Sequence, residues 1–150
     1  MKRVLAAIII GSTVGCSGGG SSPAPATPTP VRQLLGQGNF TLVSVRDANA
    51  AGFLFDSWRF EITTSASGAL EIDADWTFPS SLIAIGLERA PCSFDQFYGG
   101  RCADIANVGP PAPKPGRLNV PNLAAGSYVA FIANAGPNAE SGNYQVYLTR

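Results

Sequence analysis

Three groups of side chains in this 150-residue chain have types and spacings that could do chemistry: the cysteines Cys16, Cys92 and Cys102, the alternating acids Glu71, Asp73 and Asp75, and the aromatic and polar residues between the last two cysteines. A thiol can be oxidised, acylated or used as a metal ligand. Cys92 and Cys102 are an even pair in a segment expected to be exported, so the spacing predicts a disulfide. Closing so short a segment stabilises a fold by roughly 3 kcal/mol in the chain-entropy account. A metal or redox site is the weaker alternative, because the pair has no CxxC spacing and the chain has no histidine. The missing imidazole also removes the usual general base at neutral pH. The sequence therefore assigns no catalytic residue, no metal ligand and no cofactor, and favours binding over catalysis.

Within the stapled segment, Phe94, Asp95, Phe97, Tyr98 and Arg101, with Gln96, would form a binding surface if the aromatics face solvent. The favoured alternative has them capping one end of the fold, since apolar side chains in long loops tuck beneath them. Glu71, Asp73 and Asp75 share one face of an alternating segment, which invites a calcium site because hard cations take clustered carboxylates. An exposed polar face beside Arg59 is the preferred expectation. A carboxylate pair for glycoside hydrolysis would need a cleft, and strand alternation sets these acids in a solvated row.

Cys16 belongs to a different segment. Met1-Lys2-Arg3 is a charged start, Val4 to Ile10 a short apolar run, and Gly11-Ser12-Thr13-Val14-Gly15 a small-residue cleavage region. The run is too short to span a bilayer, which takes about 20 residues. Thr13-Val14-Gly15-Cys16 resembles the lipobox of bacterial lipoproteins at its last three positions and departs at Thr13, where the family usually has Leu. The resemblance implies a signal peptide over 1–15, a diacylglyceryl group on Cys16 and attachment to a membrane. Ser17 in place of Asp implies sorting to the outer membrane of the cell envelope, by similarity to enterobacterial lipoproteins. Ser17 to Ser22 is flexible, and Pro23 to Pro30 is a stiffer extended spacer, so 16–38 reads as a lipidated stalk.

The elements that must hold these groups lie in 39–150. The chain has 17 glycines, 12 prolines and only 13% charged residues, a balance that favours short strands and turns over amphipathic helices. Phe40 to Val45 opens the domain as a strand. Trp58, Phe60 and Ile62 alternate with Arg59 and Glu61, and Leu70, Ile72, Ala74 and Trp76 alternate with the acidic row, so these two segments are expected to pair as a hairpin. Leu82 to Leu87 is apolar on both faces, as in a covered central strand. Leu118 and Val120 mark a short strand, and Tyr128 to Ile132 with Tyr144 to Leu148 are expected to close the fold as a second hairpin around Gly136-Pro137-Asn138. No segment is long and periodic enough to predict a helix. The predicted class is all-β: an antiparallel, jelly-roll-like β-sandwich of seven to eight strands.

Leu123 to Ile132 (Leu-Ala-Ala-Gly-Ser-Tyr-Val-Ala-Phe-Ile), followed by Gly142-Asn143-Tyr144-Gln145-Val146-Tyr147-Leu148, resembles the ending of bacterial pre-peptidase C-terminal domains. That resemblance implies a jelly-roll-like sandwich appended to a secreted protein. Members often carry an acidic strand associated with calcium, whereas Ser81 to Ile85 at the matching place has no carboxylate. Equal numbers of basic and acidic residues, ten each, exclude the strongly basic footprint of a nucleic-acid binder. The leading expectation is an envelope lipoprotein with an interaction or structural role, meeting a glycan or an envelope protein. The second is a small hydrolase or hydrolase accessory domain that uses carboxylates.

Overall fold

The structure is a computed structural model and describes residues 29–150; Cys16, the signal segment and most of the stalk lie outside them. Eight strands form two antiparallel sheets: β1 (Arg32–Leu42), β2 (Asp56–Thr64), β3 (Gly68–Trp76), β4 (Ile83–Arg89), β5 (Ala103–Val108), β6 (Gly116–Leu123), β7 (Gly126–Asn134) and β8 (Glu140–Thr149). The first sheet has the order β1-β8-β3-β6 and the second β2-β7-β4-β5. The pairs β1·β8, β2·β7, β3·β6 and β4·β5 are nested, as if one long hairpin had been rolled up with the β4–β5 link at its tip. This is a jelly roll, and the all-β sandwich expectation holds.

Alternation makes the core. Phe40, Leu42, Ile72, Trp76, Val146 and Leu118 from the first sheet meet Ile62, Ile83, Ile85, Leu87, Tyr128, Ala130 and Ile132 from the second. Phe60 and Tyr144, one from each sheet, stack with ring centroids 4.0 Å apart. Gly142 lets β8 lie close to β3, because a Cβ there would meet the Asp75 carbonyl oxygen at 2.0 Å. Pro121 sits in β6, an edge strand, where a missing N–H costs least. Glu140 is buried yet satisfied: it accepts hydrogen bonds from the Thr77 and Phe78 N–H groups at 3.0 and 3.3 Å and from the Ser81 hydroxyl, pinning the β3–β4 connection.

The expected pairings are corrected. β2 and β3 do not form a hairpin; they lie in different sheets, as do β7 and β8. Each connection carries the chain across the sandwich because both of its strands have an apolar face to bury, and that requirement is met equally well by facing sheets as by neighbouring strands. β1 starts at Arg32, ahead of the boundary expected at Asn39, and ends at Leu42. Val45 is not in that strand but begins α1 (Val45–Ala50), with Ser44 as its cap accepting from the Asp47 N–H at 3.2 Å. A second short helix, α2 (Phe94–Tyr98), lies in the stapled segment.

Candidate functional site

The β4–β5 connection is built from both ends inward. Cys92 and Cys102 are bonded, with Cα atoms 5.6 Å apart. Between them Ser93 starts α2 with a reciprocal cap: its hydroxyl accepts from the Gln96 N–H at 3.2 Å, and the Gln96 side-chain oxygen accepts from the Ser93 N–H at 2.9 Å. The helix lies on the outer face of the second sheet. Phe97 stacks on Phe131 of β7 with centroids 3.9 Å apart and planes within 4°. The Tyr98 hydroxyl donates to the Phe55 carbonyl at 3.1 Å and lies 3.0 Å from the Ser57 hydroxyl of β2. Arg59 donates from Nε to the Cys92 carbonyl at 3.2 Å, and Arg101 to the Asp95 carbonyl at 3.2 Å.

The five candidate binding residues therefore divide. Phe97 and Tyr98 are half-buried and hold the loop to the sheet, whereas Phe94, Asp95 and Arg101 face solvent. The aromatics do tuck beneath the loop, but they cover a sheet face and not one end of the sandwich, because β7 offers Val129 and Phe131 outward as a second small apolar cluster. Beside Phe94, which is 42% exposed, Phe53 and Leu54 are 50% and 71% exposed.

The loop covers only part of this face. Next to it an open groove of about 340 Å³ runs over β4 and β5, with Ala84, Gly86 and Glu88 on its floor, Phe97, Phe131 and Ala133 along one side, and Asp104 and Asn107 on the other. Asp104 and Asn107 are three apart, which on a regular strand sends side chains to opposite faces. A β-bulge pairs Glu88 with Asp104 while Gly86 stays opposite Asn107, so both point outward. The Asn107 amide donates to Asp104 at 3.0 Å. Gly86 opens the trough: a Cβ there would meet nothing within 4 Å. Glu88 is only 6% exposed, and its Oε2 has no hydrogen-bond partner among the described residues. Burial first, and the nearby Asp104 carboxylate second, push its pKa above the usual 4.5.

Reasoning from sequence singled out none of Gly86, Glu88, Asp104 and Asn107. A glycine inside an apolar strand and a glutamate at its end were the available signals; the bulge that unites the two carboxylates leaves no mark in composition or alternation. The acidic row is built differently. Arg32 bonds Glu71 and stands 3.7 Å from Asp73, Arg117 lies 2.7 Å from Asp73 and 3.5 Å from Glu71, and Lys114 lies 3.2 Å from Asp75. It is a charge-balanced outer face of the first sheet, and its cations are not Arg59, which sits in the other sheet and pairs with Glu61 at 3.0 Å. Among the described residues no group of three or more Cys, Asp or Glu side chains is placed to hold a metal ion. Comparison with protein-family models and with curated proteins finds no match to this chain.

Proposed function

We propose that this protein is a lipid-anchored lipoprotein of the bacterial cell envelope whose jelly roll is a non-catalytic binding module, with the outer face of the second sheet as its binding surface. The observation that carries this reading is the braced loop beside an open groove. The disulfide, the α2 cap and the Phe97–Phe131 stack hold one wall in place, so little conformational freedom is lost when a ligand docks. Concave sites with an apolar lining and a few converging polar groups are the usual form of small-ligand pockets. The exposed Phe53, Leu54 and Phe94 extend the surface for a glycan or an envelope protein. The lipobox-like Thr13 to Cys16 and the stalk after it supply the tether.

The test uses the full chain carrying Cys16→Ala, screened on a glycan array and by pull-down from envelope extracts, against the same chain with Gly86→Leu. Capture that is lost on filling the groove is expected; capture that Gly86→Leu leaves intact would move the site elsewhere. A second reading, a small hydrolase, is favoured by Glu88 itself, since a buried glutamate beside a second carboxylate is the arrangement of an acid and its charged partner in glycoside hydrolysis. Turnover of chromogenic glycosides that disappears in Glu88→Gln would establish that reading and replace the first.

A further inference from the structure

Some acids of the described region are paired with cations, some are held by N–H or hydroxyl donors, as Asp56 and Glu140 are, and Glu88 is buried with an oxygen that has neither. Glu61, Glu71, Asp73 and Asp75 each have an arginine or lysine against them. Glu88 and Asp104 are cross-strand neighbours in the groove and make no ion pair among the described residues. The nearest arginines in sequence are engaged elsewhere: Arg89 lies over the Tyr128 ring, 5.7 Å from its centroid, and Arg101 is bonded to the Asp95 carbonyl. Glu88 lines the trough between its apolar side and Asp104, and its buried Oε2 lacks a donor among the described residues. An unpaired carboxylate held out of water is costly until a charged donor reaches it.

Resting on the reading of this groove as a binding site, we propose that its ligand is a primary ammonium group on a short apolar stem, with the nitrogen at Glu88 and Asp104 and the stem along Gly86 and Ala84 beside Phe97. A hard divalent cation fits less well, because calcium takes about six to eight oxygen ligands and the groove offers two carboxylates and one amide, whose nitrogen is already turned to Asp104. The ammonium carries three donors, enough for Oε2 of Glu88 and an oxygen of Asp104 together. Such a group comes from a lysine side chain or from a free alkyl diamine.

Amide chemical shifts of the full-length chain would be followed while titrating Nα-acetyl-lysine amide, cadaverine, the neutral Nα-acetyl-norleucine amide, and calcium chloride. Saturable shifts at Gly86, Glu88 and Asp104 are expected with the amines. Binding should weaken at least about tenfold in Glu88→Gln and in Asp104→Asn and vanish in Gly86→Leu, all with unchanged circular dichroism. Preference for the lysine derivative would identify a peptide source, and preference for cadaverine a free amine. Equal binding of the norleucine derivative, shifts with calcium alone, or amine binding indifferent to both carboxylate substitutions would overturn the proposal while leaving a binding groove. Absence of shifts with every probe would overturn it, and binding of glycans blocked by Gly86→Leu would then show that the groove reading survives alone.

Discussion

Glu88 and Glu140 are both buried glutamates, and their surroundings give them opposite effects. Glu140 receives two backbone N–H groups and a hydroxyl, so Glu140→Ala strands three donors and should lower unfolding free energy by about 3 kcal/mol in urea denaturation. A loss within error would mean that the β3–β4 connection is not held by this carboxylate. Glu88 has a buried oxygen without a donor and a raised pKa, so in the native state its charged form is the disfavoured one. Below the ordinary value of 4.5 native and unfolded states both keep the proton and the fold is fully favoured. As pH rises through the higher native value, the native state must bear the charge and this contribution is lost. Glu88→Gln should therefore raise the melting temperature at pH 7, with the gain fading toward pH 4; a gain that grows on acidification would contradict the assignment. The acidic row was legible from alternation alone, whereas Glu88 was not, because its significance lies in what surrounds it across three strands.

Among the described residues, β4 and β5 are the only sequence-adjacent strands that pair directly, and their link is the one braced by a covalent bond. Replacing both Cys92 and Cys102 by Ala should cost about 3 kcal/mol, read from the shift in the denaturation midpoint. The double variant should also speed amide hydrogen exchange at Phe97, whose N–H donates to the Ser93 carbonyl at 2.9 Å within α2, since the helix depends on where the loop is held. Ser93→Ala removes one half of the reciprocal cap and should cost about 1 kcal/mol, and no loss would show that the disulfide suffices to set the helix. The spacing of the cysteines gave the bond in advance. Both helices escaped notice because five or six residues are less than two turns, too few for a 3.6-residue period to emerge. The bulge in β5 escaped for a related reason: it is a property of a pair of strands, and neither strand declares it.

The rolled hairpin makes contacts of long range its main support, with Arg32 opposite Thr149 at one extreme and only β4–β5 closing locally. Closing such loops comes before the contacts that repay it, so refolding of the disulfide-intact chain should fall in the millisecond-to-second range of non-local β proteins, measured by stopped-flow fluorescence of Trp58 and Trp76. If the N-terminal cysteine carries the lipid that the proposal assigns, Cys16→Ala should move the protein from the membrane to the soluble fraction and abolish fatty-acid labelling; labelling that persists would refute that tether. Residue type and alternation, which act over a few neighbours, were enough to establish an all-β sandwich, the inward faces of most strands and the cysteine pair. They could not choose partners, because an apolar face is buried equally well against the opposite sheet or within its own, and so both expected hairpins failed. The β4–β5 register and the β5 bulge bring Glu88, Asp104 and Asn107 to one face, and the rolled topology sets Phe131 and Ala133 of β7 beside them, since proximity across strands depends on register, which residue type and alternation do not specify.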